Sequence, residues 1–449
     1  MKKFIETLQN IWRIKELREK ILFTLGLLLV YRLGSNVVLP GINPDSLAQL
    51  QNQASDGLIG LLNAFTGGAF ANASILALGI MPYISASIVI QLLGMAIPYI
   101  QKMQKEGESG RRKLNQITRI LTIVIALAQA PGYLANLMGQ NALVFPSMEG
   151  SFYPMAMLCL VTGTVFAMWL GEKITDKGIG NGISLLIMVG IIANFPQALL
   201  QELLAKVSGG DGGGIAIFVI EIAALYMVFM FAIALTQAVR KVPVQYARRS
   251  AGKGGYGQEV ARSFIPLKVN AAGVMPIIFA QAIMFIPLTV LQYSGAEGES
   301  ISSFVSFFSN IQGFWYNFTF AIMIILFTYF YTAIQVNTNQ MAEDLKRNGG
   351  FVPGIKPGKA TAEYIDNILS KITLPGSILL AVLAILPAIA MTMNMGMQWS
   401  YFYGGTSLLI IVGVSLDTLQ QIESYLLNRH YDGLMRSGRL KGRTATTAF

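Results

Sequence analysis

The chain has 449 residues, of which 53% are hydrophobic and only 12% charged, with a mean hydropathy of +0.55. A soluble domain carries about 25% charged residues, so these values place the chain among polytopic membrane proteins. A single cysteine, Cys159, rules out an intrachain disulfide framework, and a single histidine, His430, in a charged tail, argues against a histidine relay, a zinc site or a Ser-His-Asp triad. No metal or cofactor is expected. The net charge of +10 would suit nucleic acid, but where the charges fall decides that question.

Residues 1–20, MKKFIETLQNIWRIKELREK, are too charged for a cleavable signal, and no small-residue cleavage site follows. Phe4, Leu8, Ile11 and Trp12 share one helical face, with Lys and Arg on the other. That pattern reads as a short cytoplasmic helix in the membrane interface or as a solvated lead-in helix. A span needs about 20 mostly apolar residues. Ten such stretches follow, at about 21–39, 74–93, 118–138, 152–170, 182–200, 215–238, 271–292, 315–335, 372–393 and 403–425. An even number puts both termini on one side. Of the 33 lysines and arginines, all but Arg32 and Lys206 lie on that side, whereas the opposite loops carry Asp45, Asp56, Glu149, Glu202, Asp211, Glu297 and Glu299. The positive-inside rule then places both termini in the cytoplasm and explains most of the net charge as topology.

The stretch GIMPYISASIVIQLL, Gly79 to Leu93, is apolar enough for a membrane yet carries Pro82, Ser85, Ser87 and Gln91. Before it lies a glycine-rich run, including Phe65-Thr-Gly-Gly-Ala-Phe70, that is too weakly apolar to span. In hydrocarbon, irregular backbone survives only where protein or a water-filled cavity surrounds it. Residues 57–74 therefore read as a segment inside a cavity lined by the helix that follows, or as a surface loop before an ordinary packed helix.

Two cytoplasmic loops are long, Arg240 to Lys268 and Gln335 to Lys371, and both mix basic residues with Gly, Pro and aromatics. Within the second, Ala362 to Asp366 is able to continue as a helix. Loops of this size suggest docking surfaces for a cytoplasmic partner, the alternative being long solvated connections. Inside the spans, ionisable residues are scarce, with Glu221 and Asp417 the main exceptions. That scarcity argues against an ion-coupled transporter and against a membrane enzyme, which needs paired acids and bases or a metal cluster. What the spans carry instead is Gly and Asn beside isoleucine, in GIGNGISLLI (178–187), NAAGVMPIIFAQ (270–281) and YFYGGTSLLIIV (401–412). A ring of aliphatic side chains from several helices makes a constriction that dewets, blocks ions and binds nothing specifically. Such a ring suits a conduit for a large, variable polymer.

GIMPYISAS, GIGNGIS, AGV-x-P-x-IFA, FVPGI-x-PG and GGTSLLI occur together in this chain. In these motifs the whole chain resembles the SecY family of protein-translocation channels. The resemblance implies an all-α polytopic fold of ten transmembrane helices in two pseudo-symmetric five-helix halves, here 21–200 and 215–425, although no repeat between the two parts of the chain is visible. It implies a pore ring of Ile80, Ile84, Ile183, Ile187, Ile278 and Ile410. It further implies a plug over about 56–74 that includes Phe65, Gly67 and Gly68, and a lateral gate between spans two and three on one side and seven and eight on the other. Ser85, Ser87 and Gln91 are the candidate polar gate residues, with helix–helix hydrogen bonding as the alternative role.

By the same resemblance, loops 240–268 and 335–371 dock the ribosome and the motor ATPase SecA, with Arg248, Arg249, Lys253, Lys356 and Lys359 as contact residues and 426–449 as a cytoplasmic tail. Lys356 stands where the family usually has arginine, which keeps the charge but loses the bidentate fork. Lys253-Gly-Gly255 stands where related sequences often carry a basic pair. The expected function is a protein-conducting channel of the cytoplasmic membrane, not an enzyme. It would pass signal-sequence-bearing polypeptides, insert membrane helices into lipid, and assemble with SecE-like and SecG-like subunits. The alternative is a secondary transporter of a small molecule that uses Glu221 or Asp417.

Overall fold

A computed structural model describes residues 12, 14–43, 47, 60, 63, 65–139, 149–208, 214–246, 262–281, 283–284 and 312–436. The expectations for Arg248, Arg249 and Lys253, for most of residues 1–13 and 56–64, for the far end of the seventh span and for the tail beyond 436 lie outside the described residues.

α1 (Lys15–Gly34) starts among charged residues and runs unbroken into the first apolar stretch. Irregular chain over 35–43 and 65–80 leads to α2 (Met81–Ala96). The helix starts later than its hydropathy suggests, because residues 75–80 form turns and Gly79 has φ of +53°. Pro82 then sits in the first turn, where its missing N–H costs no helical hydrogen bond. After α3 (Pro98–Lys105) come α4 (Glu108–Gly139), α5 (Glu149–Lys177), α6 (Gly182–Ser208) and α7 (Gly214–Gln237). Residues 275–281 are helical. α8 (Phe314–Gln335), α9 (Thr338–Arg347), α10 (Lys359–Thr392), the short α11 (Met397–Ser400), a 3-10 turn (Tyr401–Tyr403) and α12 (Gly405–Arg436) complete the helices.

Among the described residues, seven helices are long and apolar enough to cross a membrane, and the bent pair α2–α3, turned by 106° at Ile97, makes an eighth. Of the ten expected spans, the first corresponds to α1, whose charged first turns dilute its hydropathy, and the seventh is described only at its start. α10 begins well before its apolar part, so Ala362 to Asp366 does continue as helix, and α12 runs past the expected end of its span.

Successive helices pack side by side: α4 on α5, α5 on α6, α6 on α7. α12 returns against both α6 and α7, and α8 lies along α10. The helical expectation is supplemented by a small antiparallel sheet in the order β2-β1-β3, made by β1 (Val239–Tyr246), β2 (Arg262–Lys268) and β3 (Gly350–Phe351). β1 alternates, burying Val242 and Val244. Its Pro243 pairs with Phe264 on one side and lies outside the stretch of β1 that meets β3, where a missing donor is tolerated. Val242, Val244 and Leu267 pack with Leu345 of α9, Val352, and Ile365 and Leu369 of α10. The two long loops therefore fold together into one body on the end of α10.

Candidate pore and gate

One hydrophobic core, mixing aliphatic and aromatic side chains, draws on helices far apart in sequence. Ile80 caps the N-terminus of α2, Ile187 lies on α6 and Ile410 on α12; they are 4%, 8% and 4% exposed and belong to one core. Ile84 and Ile183, one turn from Ile80 and Ile187, are half-buried and pack against it. Ile183, Ile187 and Ile191 share one face of α6 at helical spacing. Ile278 is half-buried and is not a member of this cluster; its neighbour one turn back, Val274, touches it.

Two devices orient these helices. Asn181 caps α6 by accepting from the backbone N–H groups of Ile183 (3.2 Å) and Ser184 (3.4 Å). The turn before it is bound from other helices: Thr24 of α1 accepts from the Ile179 N–H at 3.1 Å and Gln421 of α12 from the Gly180 N–H at 2.8 Å. At the start of α12, Gly404 lies so close to the Leu383 carbonyl of α10 that a Cβ would collide with it. α12 thus presents Leu408 and Val412 to α10 and its neighbours, and Ile410 and Val414 to the central cluster.

The segment from Phe65 to Ile80 is irregular backbone enclosed by protein. Phe65 packs against the central cluster. Gly67 has φ of +66°, and its Cα side faces Gly190 of α6 so closely that an added Cβ would sit 2.8 Å from Gly190 Cα. Gly68, with φ of +88°, lies near Asn194. Further along, the Tyr133 hydroxyl of α4 donates to the Phe70 carbonyl at 2.8 Å, with the two rings 4.7 Å apart. The backbone N–H of Leu39 donates to the Ala73 carbonyl and that of Ile75 to the Val37 carbonyl, each at 2.9 Å, around a Val38–Ser74 bridge.

Ser85, Ser87 and Gln91 are half-buried on α2. Gln91 donates to Ser87 at 3.5 Å and accepts from the Tyr331 hydroxyl of α8 at 2.9 Å. Tyr331 in turn contacts Phe279, whose ring centroid is 5.9 Å away, and Phe279 contacts Phe327 at 5.7 Å. Sequence reasoning missed Tyr331 and Phe279. The signal was present in the polar tail of the eighth span, YFYTAIQ, but nothing in it names the partner helix.

Of the two intramembrane acids, Asp417 is exposed on α12. Glu221 is 2% exposed and pairs at 3.0 Å with Lys206 of α6, which also pairs with Glu202 at 3.5 Å. Glu202 accepts from the Gly396 N–H at 2.9 Å, the Lys206 ammonium reaches the Asn394 carbonyl at 3.4 Å, and the Tyr403 hydroxyl donates to the Glu221 carbonyl at 2.6 Å. This cluster ties the ends of α6 and α7 to the connection between α10 and α12. It occupies Glu221 structurally and removes the main support for the transporter reading.

On the body formed by the two long loops, Lys356 and Lys359 are exposed. The Lys356 carbonyl accepts from Thr361 at 2.9 Å, and Gly354 (φ +83°) and Gly358 (φ +105°) shape the turn that presents its side chain before α10.

Together these features define a polytopic helical membrane protein with a buried hydrophobic core, an enclosed irregular segment packed against it and a folded body at the start of α10. A sequence profile of the SecY family matches residues 74–419. The protein translocase subunit SecY of Halalkalibacterium halodurans is 44% identical over 441 residues, covering 96% of this chain and 99% of its own. Those of Streptomyces galbus and Chlamydia trachomatis are each 40% identical, covering 95% and 97% of this chain and 98% and 99% of theirs. The solved structure of a protein conducting channel superposes with a TM-score of 0.62 at 18% identity, covering 90% of this chain and 91% of that one. Sec61 in a canine ribosome-channel complex does so with 0.60 at 16% identity, with the same coverage. The chain belongs to the SecY family.

Proposed function

We propose that the chain is the pore subunit of a Sec translocon, a protein-conducting channel that passes unfolded polypeptides across the cytoplasmic membrane and releases membrane helices sideways into lipid. The observation that carries the proposal is that Ile80, Ile187 and Ile410, from α2, α6 and α12, are buried in one hydrophobic core in a chain of this family. Ile80, Ile84, Ile183, Ile187 and Ile410 form the constriction, and Ile278, half-buried and reached through Val274, is its sixth candidate. Aliphatic walls exclude ions by dewetting and place no demand on the side chains that pass.

In this reading the segment around Phe65, Gly67 and Gly68 is the plug. Ser87 and Gln91 with Tyr331 close the lateral gate, and Ser85 lines it. The two halves, 21–200 and 215–425, move apart to open it. Both termini are cytoplasmic, as the distribution of Lys and Arg requires, and the chain has no catalytic residue of its own. SecE-like and SecG-like subunits complete the channel. SecA or a ribosome docks on the body formed by the two long loops through Lys356, Lys359, Arg248, Arg249 and Lys253. A relative of this fold, Sec61, is seen in a ribosome-channel complex, and another, the yeast Ssh1 complex, bound to an 80S ribosome.

The test is site-specific photo-crosslinking from position 410 to a translocation-arrested chain bearing a signal sequence. A crosslink to its mature part is expected. Absence of one, in a protein that folds and binds its partner subunits, overturns the pore assignment.

A further inference from the structure

Arg32 is one of the two cations set away from the cytoplasmic side, and the Glu202–Lys206–Glu221 cluster accounts for the other. Among the described residues, no carboxylate lies within ion-pair distance of Arg32. Its guanidinium, half-buried in the last turn of α1, donates instead to the Gly67 carbonyl and, at 3.5 Å, to Ser35 Oγ. Ser35 and Asn36 hold the same turn by donating to the Arg32 carbonyl at 2.7 and 3.1 Å. A cation set within an apolar span is costly unless its donors are satisfied, and among the described residues the acceptors that meet it are the Gly67 carbonyl of the enclosed segment and Ser35 Oγ.

The segment is held unequally along its length. Residues 70–75 are fixed by the Tyr133 hydroxyl and by two backbone hydrogen bonds to residues 37–39. Among the described residues outside the segment, the tip, Phe65 to Gly68, is hydrogen-bonded by Arg32, while Phe65 packs against the core and the Gly190 side is a close fit, where an added Cβ would lie 2.8 Å from the Phe65 carbonyl and 3.2 Å from the Gly67 nitrogen. A charge-assisted hydrogen bond on one side and a methyl-tight glycine contact on the other make a seat that fits one position of the tip. Gly67 completes it, because its φ of +66° and the Gly190 contact both exclude a side chain.

We propose that Arg32 is the latch of the closed channel: its bond to the Gly67 carbonyl holds the tip of the segment against α6, and opening requires that bond to break while residues 70–75 stay anchored as the hinge. Arg32 is a positioning residue for closure, and the proposal rests on the reading of the segment as a plug. Loss of a charge-assisted hydrogen bond shifts a two-state equilibrium by roughly tenfold or more.

The experiment measures ion leak through the full-length chain, reconstituted in planar bilayers with its SecE-like and SecG-like subunits, for Arg32→Gln, Arg32→Lys, Gly190→Ala and a deletion of residues 65–70. Thermal unfolding in detergent is measured in parallel. Arg32→Gln is expected to raise the leak roughly tenfold at unchanged midpoint, Arg32→Lys to raise it less, and Gly190→Ala to raise it with Arg32 intact. Thr66→Cys, in a Cys159→Ala background, is expected to gain labelling by a membrane-impermeant maleimide when combined with Arg32→Gln. A leaky deletion with a tight Arg32→Gln overturns the latch and leaves the plug standing. A deletion that stays tight overturns the plug reading and the latch with it. An Arg32→Gln protein whose leak rises only as its unfolding midpoint falls, or one that fails to fold while Arg32→Lys seals normally, reduces Arg32 to a structural role and overturns the proposal.

Discussion

Replacing Lys206 with methionine tests whether the acid cluster holds the ends of α6 and α7. Lys206 sits 3.5 Å from Glu202 and 3.0 Å from Glu221, whose side chains are only 4% and 2% exposed. At an effective dielectric of about 20, each attraction is about 5 kcal/mol, but most of that is offset by the desolvation of the three charges. Removing the ammonium leaves the partners unequal. Glu202 keeps the Gly396 N–H at 2.9 Å, whereas Glu221 loses its ion pair while its second carboxylate oxygen already has no hydrogen-bond partner. Leaving such a buried charge uncompensated costs about 3–5 kcal/mol. Lys206→Met is therefore expected to cost about 3 kcal/mol. Glu221→Gln, which spares the Lys206–Glu202 pair, is expected to cost about 1 kcal/mol. The double variant should be no worse than Lys206→Met alone, because the group stranded by the first change is neutralised by the second. Thermal and denaturant unfolding of the purified protein in one detergent measures all three. A Lys206→Met protein as stable as the parent, or strictly additive single changes, would refute the reasoning.

Gly404→Ala pushes a methyl group into the Leu383 carbonyl and is expected to destabilise by about 1–3 kcal/mol, read as an unfolding midpoint shift. Ile410→Asn places an amide in the aliphatic centre, so ion leak in reconstituted bilayers should rise while the unfolding midpoint falls only modestly; an unchanged leak counts against the constriction. Tyr331→Phe removes the hydroxyl that reaches Gln91 across α2 and α8 and should cost about 1 kcal/mol. Its functional readout is relaxed discrimination against defective signal sequences, and unchanged discrimination would leave the contact without a gating role.

The helices were legible because a membrane span needs a long apolar run, a property local to the sequence. Positive charge is sorted by side along the expected spans, and only Arg32 and Lys206 break the pattern. What those two residues do was not legible. Arg32 meets a carbonyl 35 residues away, and Lys206 joins an acid on its own helix to one on the next. The small sheet escaped for a similar reason: the alternation in VRKVPVQY is short, and the partner strand β3 lies about a hundred residues on.

The isoleucines show the division most plainly. Their identities stood in the motifs, and helical spacing put Ile183 and Ile187 on one face. Which face of each helix turns inward was set elsewhere, by Gly404 seated on α10, by Asn181 and its ties to α1 and α12, and by the late start of α2 that puts Ile80 at a helix cap. The same tertiary packing leaves Ile278 beside the cluster rather than in it. Hydropathy acts along the chain, so the sequence by itself determined which stretches become long apolar helices. Helix rotation and close approach depend on contacts between segments hundreds of residues apart, so only the tertiary structure decided which side chains meet in the shared core.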